Sequence, residues 1–234
     1  MPAVVGRTLA VAVYRPLAEQ LVAVAAPRPG ERVLEVSAGD GEVSRRLAGA
    51  ASGPLPTVLV ATDVRARALG DAIAPLEAVV VVARAWNLPF GDAEFDLVVS
   101  LLAVAGAERA GQALAELARV ARRVAVVVWT DGATHENALR DAWRELAAPG
   151  ALPVTMLTAP PPPGWTQSEL SDVARFDGIG QLWAGLVTER DIAVPAAMAT
   201  ALQERLAENV AAFTAADGTM RIPVRATLLT RDGS

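Results

Sequence analysis

Five continuous apolar runs constrain the fold more than any other feature: Val33–Val36, Thr57–Thr62, Ala78–Ala83, Phe95–Leu101 and Arg123–Trp129. They are rich in Val and Leu and do not alternate with polar residues, the pattern of parallel strands covered on both faces. Helices are predicted between them over Val43–Ala50, Ala66–Ile73 and Glu108–Ala121, the last with Leu114, Leu117 and Ala121 on one face. Such alternation builds an α/β domain with a doubly wound, mostly parallel sheet. The 234 residues suit a single domain over 1–234, with a cofactor-binding half at 1–130 and a substrate-side half at 131–234.

The second half has a different texture. Asn137–Ala147 is predicted helical, and residues 148–165 are proline-rich, with Pro160–Pro163 in a row. That stretch is extended and semi-rigid, either a surface linker or a lid. Ala196–Phe213 forms a helix with a core stripe of Met198, Leu202, Leu206, Val210 and Phe213. Met220–Thr230 reads as a last strand, and its Pro223 points to an edge or bulge. At the other end, Met1–Val13 is apolar with one Arg, and Arg15 and Glu19 follow at helical spacing. We read this as an amphipathic first helix rather than a leader.

Composition removes several chemistries. Absence of cysteine excludes disulfides and thiolate sites, and one histidine excludes a multi-histidine metal centre, so no metal is expected. Absence of lysine excludes Schiff bases and phosphate-binding lysine loops. With a net charge of −5 and no basic block, nucleic acid is not an expected partner. Although 53% of the residues are hydrophobic, no apolar run approaches the roughly 20 residues of a membrane helix. A cytoplasmic location is expected. The sequence does not fix the oligomeric state, and a homodimer is one allowed assembly.

The first run leads into chemistry. Arg32-Val-Leu-Glu-Val-Ser-Ala-Gly-Asp-Gly-Glu42 is a strand, a turn with Gly39 and Gly41, and a helix start; the second strand ends in Asp63. Glycines let the backbone approach a ligand closely, and the acid can accept two hydrogen bonds from a ribose diol. This is the arrangement of a nucleoside-cofactor site.

In their order, the segments resemble class I S-adenosylmethionine-dependent methyltransferases, in the small-molecule branch that is similar to ubiquinone/menaquinone C-methyltransferases. The resemblance rests on Tyr14-Arg15-Pro16, Pro29-Gly30-Glu31, Val33–Val36 with the glycine turn, and Leu88-Pro89-Phe90-Gly91-Asp92 through Phe95-Asp96 to Ser100. Ala113–Val120, Asp217-Gly218 and Arg221-Ile222-Pro223 extend it. It implies a Rossmann-like, seven-stranded sheet with an antiparallel last strand, and S-adenosyl-L-methionine as cofactor, released as S-adenosyl-L-homocysteine. It further implies roles for residues. Glu35, Ser37, Ala38, Gly39 and Gly41 pass under the methionine part, and Asp63 holds the ribose. Val64, Ala85 and Trp86 border the adenine. Ser100 and Leu101 face the carboxypropyl chain, over which Tyr14 closes.

Departures are equally specific. Ser37 replaces the family's first glycine, and Arg84 stands where an acid that bonds the adenine amino group is usual. An arginine accepts no hydrogen bond. The turn before the fifth strand is missing, and the sixth strand and its preceding helix are expected to be reduced.

Methyl transfer from a sulfonium is an in-line displacement, so positioning and a dry site are its main needs. His135 is the one candidate catalytic residue, weighed against a solvated place in the polar segment Thr134–Asn137. Asp40 and Glu42 read as acids at a helix N-terminus, and Asp96 as structural. The function expected is methyl transfer to a small, partly apolar acceptor. Its alternative is a methyltransferase-like protein that has lost transfer and acts as another biosynthetic catalyst or a binding partner. A nicotinamide oxidoreductase is disfavoured, because the third glycine of that fingerprint is absent.

Overall fold

A computed structural model describes residues 8–39, 41–49, 58–63, 79–102, 107–129, 134–146, 160–190 and 192–233. Asp40, Val64 and the helix expected over Ala66–Ile73 lie outside them. Among the described residues, seven strands form one sheet: β1 (Arg32–Val36), β2 (Val58–Asp63), β3 (Val79–Val82), β4 (Phe95–Leu101), β5 (Ala121–Val128), β6 (Thr166–Phe176) and β7 (Met220–Asp232). Their order is β3-β2-β1-β4-β5-β7-β6. The first five pair in parallel, and β7 is antiparallel to β5, Val128 facing Thr227 and Arg123 facing Asp232. This is the Rossmann-like methyltransferase arrangement expected from the sequence.

Contacts divide the chain into two compact units. One comprises Arg15–Thr130, Thr155–Leu170 and Ala226–Ser234; the other comprises Met1–Tyr14, Asp131–Val154 and Ser171–Arg225.

In the first unit, α1 (Arg15–Ala25), α2 (Glu42–Gly49) and α3 (Ala107–Val120) accompany the strands. Ala110, Ala113, Leu114, Leu117 and Val120 of α3 recur every three or four residues and are all buried with β1, β4 and β5 in one core cluster. Each large member stabilises the unit by about 1.5–3 kcal/mol through burial. The Leu-Pro-Phe segment is tied to this helix. Arg119 donates to the carbonyl of Phe90 and to Asp92, and Glu116 accepts the Leu88 N–H. The Glu116 carboxyl is held below its usual value, chiefly by the Arg119 hydrogen bond. Near the start of β5, Arg123 Nη2 donates to both Glu31 carboxylate oxygens at 2.8 and 2.9 Å and Nη1 donates to the Ala25 carbonyl, joining β5 to the end of α1. Asp96 accepts the Arg32 N–H and pairs with Arg122, a structural role as expected.

Two expectations are corrected. The sixth strand is not reduced, since β6 runs 11 residues. It lies at an edge of the sheet and buries only Leu170, Ala174 and Phe176, so its sequence carries no apolar run. The third run is not fully covered: Val79 and Val82 are 54% and 62% exposed, because β3 forms the other edge. Pro223 lies in β7 outside the register with β5. It lies four residues before Thr227, where the β5 ladder begins, so its missing N–H costs that ladder nothing.

The second unit packs α4 (Thr134–Glu145) against α6 (Ala196–Asn209), with Ala142, Trp143 and Leu202 as its buried centre and Trp183 against them. Asn209 donates to the Ala138 carbonyl at 3.0 Å. A short helix α5 (Ile179–Trp183) continues into a π-helical turn at Ala184–Thr188, and Ala10–Tyr14 is a second such turn. A Cβ at Gly185 would stand 2.9 Å from Leu9 Cγ, so any side chain there would force Leu9 to shift. Glu189 accepts the Thr8 N–H at 2.6 Å, capping the N-terminal helical segment.

Candidate cofactor site

The sheet order reverses between β1 and β4, since β1 leads outward to β2 and β4 leads outward to β5. Ligands of open α/β sheets bind at the C-terminal edge of that crevice. Here the chain leaves β1 through Ser37 (φ +57°), Ala38, Gly39 (φ +51°) and Gly41 (φ +72°) before α2 begins at Glu42. Three left-handed residues within five positions make the turn tight. Among the described residues, a Cβ at Gly39 would meet the Ser37 carbonyl at 4.0 Å, and its left-handed φ favours glycine there. The Ala38 N–H donates to Thr62 O at 2.9 Å, anchoring the turn to β2.

Glu35 is buried at 1% exposure and accepts the Ser44 hydroxyl, a bond that spans the turn from β1 to α2. Ordering of the turn is thus visible in its side chain. Across the crevice, the Ser100 hydroxyl donates to Val36 O at 2.9 Å, fastening the end of β4 to that of β1. Leu101 is half-buried, and Leu102 beyond it is left-handed at φ +60° with its N–H on Val127 O. Both strands of the crevice therefore end in a non-glycine residue held in a costly conformation, a feature that clusters at functional sites. Glu42, in the first turn of α2, pairs with Arg45 at 2.7 Å and with Arg15 at 3.5 Å.

Ser37 gives a direct test. A left-handed non-glycine residue costs about 1 kcal/mol, and Gly removes that cost at a smaller entropic penalty. Ser37→Gly should leave the protein equally or more stable, by up to about 1 kcal/mol in urea unfolding. A clear loss of stability would show that the Ser37 side chain has a compensating partner.

Outward from the crevice, Asp63 is the last residue of β2 and is in register with Val82 of β3. Ala85 is buried, and Trp86 is half-buried against the core of the unit. Arg84 and Asn87 close the turn between them, with Asn87 N–H on Arg84 O at 2.9 Å. Arg84 and Arg109 both lie over the Trp86 ring, at 5.6 and 4.9 Å from its centroid. Nothing in the sequence marks Arg109, since a charged residue in a helical first turn carries no local sign of a partner 23 positions back. Among the described residues, no group of three or more His, Asp or Glu is placed to hold a metal.

Tyr14 and His135 belong to the second unit. The sequence reading of Thr134–Asn137 as a solvated loop is corrected: these residues form the first turn of α4, and His135 and Glu136 are both 0% exposed. Burial of so polar a turn is possible because Arg190 meets Glu136 with both guanidinium nitrogens, one at 2.9 Å. Arg190 also donates to the Tyr14 hydroxyl at 3.4 Å. His135 Nε2 stands 3.8 Å from Glu136. Burial pushes the His135 pKa down to about 4, Glu136 opposing and Arg190 reinforcing the shift. The imidazole is therefore neutral at physiological pH.

Comparison with known proteins agrees with this geometry. Residues 34–129 match the sequence profile described as "Methyltransferase domain". That segment runs from β1 to the end of β5 and contains the whole crevice. The match implies S-adenosyl-L-methionine as cofactor. An uncharacterised protein of Mycobacterium tuberculosis, Rv1403c, is 40% identical over 123 residues, which is 49% of this chain and 43% of the relative. The chain thus spans less than half the length of that relative. The fold is similar to that of the Bacillus halodurans BH2331 protein, a candidate methyltransferase, with TM-score 0.63 and 16% identity over 93% of this chain and 99% of the other. It is also similar to YcgJ from Bacillus subtilis, with TM-score 0.60 and 14% identity over 93% and 98% of the two chains. The [4+2]-cyclase SpnF shares it too, with TM-score 0.54 and 14% identity over 94% and 81%. At these identities the likeness concerns the fold.

Proposed function

We propose that this protein transfers a methyl group from S-adenosyl-L-methionine to a small, partly apolar acceptor. The observation that carries the reading is the turn at Ser37, Ala38, Gly39 and Gly41 at the β1/β4 crevice, left-handed at three of these residues and braced by Glu35, Ser44 and Ser100. In this reading Glu35, Ser37, Ala38, Gly39 and Gly41 hold the methionine end, with Ser100 and Leu101 beside it. Asp63 takes the ribose hydroxyls, and Val64, Ala85 and Trp86 border the base. The cofactor supplies an electrophilic methyl group with a good leaving group. The chain's task is then to orient donor and acceptor in line and exclude water. Tyr14 is assigned to the cofactor and His135 to the acceptor. The quinone-type branch suggested by sequence sets the acceptor class as small and partly apolar.

A second reading keeps the fold without transfer, as a different biosynthetic catalyst or a binding partner. It is favoured by Ser37 in a left-handed position and by Arg84 on the base side. Calorimetry separates the readings. S-adenosylmethionine and S-adenosylhomocysteine should bind with dissociation constants below about 1 mM, and NAD should not. Absence of binding by both sulfur nucleosides would sink the methyltransferase reading. Binding without methyl transfer to any of a panel of small phenols, amines and quinols would favour the second.

A further inference from the structure

Arg84, Trp86 and Arg109 form a cluster at the ligand edge of the first unit, and methyl transfer gives its two arginines no role. Arg84 stands two residues beyond β3, and Arg109 lies in the first turn of α3, which follows β4. Both guanidinium groups lie within cation–π distance of one indole ring. Neither meets a carboxylate among the described residues, whereas Arg15, Arg32, Arg119 and Arg123 of the same unit all do.

The order of the sheet says what such a cluster would face. The glycine turn follows β1, Asp63 ends β2 and Trp86 follows β3, and these strands are neighbours about 4.8 Å apart. A nucleoside with its ribose at Asp63 and its sulfur side over the turn extends its base toward the end of β3. Stacked on an indole, a guanidinium keeps its N–H groups in its own plane and directed outward. It donates at every position and accepts at none. The 6-amino group of adenine is itself a donor, so neither arginine can bond it. A 6-oxopurine presents O6 and N7 as adjacent acceptors, which a guanidinium fork takes together.

We propose that Arg84 and Arg109 make the base end of this site a reader of acceptor atoms, so that 6-oxopurine nucleosides are held at least as well as adenine nucleosides. The inference rests on the S-adenosylmethionine reading above and specifies its base selectivity. If the arginines only brace Trp86 against the core, the 6-substituent of the base is irrelevant to them.

The test is calorimetry on the full chain with S-adenosyl-L-homocysteine and S-inosyl-L-homocysteine. Wild type should bind the inosyl compound as tightly as the adenosyl compound or more so. Arg84→Met and Arg109→Met replace exposed side chains, so circular dichroism should report an unchanged fold. At least one of them should weaken inosyl binding about tenfold while adenosyl binding moves less than about threefold. A wild-type preference for the adenosyl compound of about tenfold or more overturns this inference and leaves the methyltransferase reading standing. Inosyl affinity unchanged in both variants overturns it as well. Failure of both nucleosides to bind overturns the two together.

Discussion

Arg190→Met should lower the unfolding free energy by about 3–5 kcal/mol, the range for stranding one member of a buried ion pair. The asymmetry of burial decides which partner matters more. Glu136 has a side-chain exposure of 0%, whereas Arg190 retains 20%. Without Arg190, the carboxylate loses its bidentate partner and has no path to water. Without Glu136, the guanidinium can still turn its exposed edge toward solvent and keep the Tyr14 hydroxyl, so Glu136→Ala should cost less, about 1–3 kcal/mol. The double variant Glu136→Ala/Arg190→Met removes both charges and should recover most of the loss. Urea unfolding followed by the fluorescence of Trp143 and Trp183, which belong to the same unit, reads all three proteins. A loss below about 1 kcal/mol in Arg190→Met, the value of an exposed pair, would show that Glu136 is not confined by its surroundings.

How much of this was legible in the sequence depended on how far apart the partners lie along the chain. β1, β4 and β5 announced themselves because their residues are buried on both faces, and the stripe of α3 because its spacing is local. The Leu88–Phe90 segment was recognisable, and its reason is physical: Glu116 and Arg119, one helical turn apart, fasten it through Leu88 N–H and Phe90 O. The edge strands were harder. β6 exposes most of its residues, so an 11-residue strand looked like a remnant. The polar turn at Thr134–Asn137 reads as solvated for a different cause. Its counter-charge comes from Arg190, 54 positions beyond Glu136, and no local pattern encodes such a meeting. Arg109 on Trp86 is the same kind of omission. Ser37 marks the opposite limit. The substitution at a glycine position is legible from the residues alone, but only the backbone reveals that serine accepts the left-handed geometry there.

The buried histidine makes the second large prediction, in stability against pH. His135 has a pKa of about 4 in the folded protein against an ordinary 6.5, burial being the main cause. A base whose folded pKa is depressed is neutral in both states above 6.5, so its full contribution is present at pH 7. As pH falls through 6.5, the unfolded chain takes up a proton that the folded protein refuses until about pH 4. Stability is lost across that window, by about 3 kcal/mol in total, and the loss levels off below it. The groups facing the ring act in opposite directions, Glu136 favouring its protonated form and Arg190 disfavouring it. Unfolding free energies of wild type and His135→Gln, measured from pH 7.5 to 4, should therefore diverge in slope between about 6.5 and 4. Carboxylates elsewhere titrate in both proteins and cancel. Parallel curves would show that His135 is hydrated in the folded state. The same shift bears on chemistry. A neutral imidazole with so low a pKa offers its lone pair at pH 7 but binds a proton weakly, which makes it a poor general base. If His135 serves the acceptor, the acid limb of kcat should fall near pH 4 to 5 rather than near 6.5, and orientation of the acceptor would be its larger contribution.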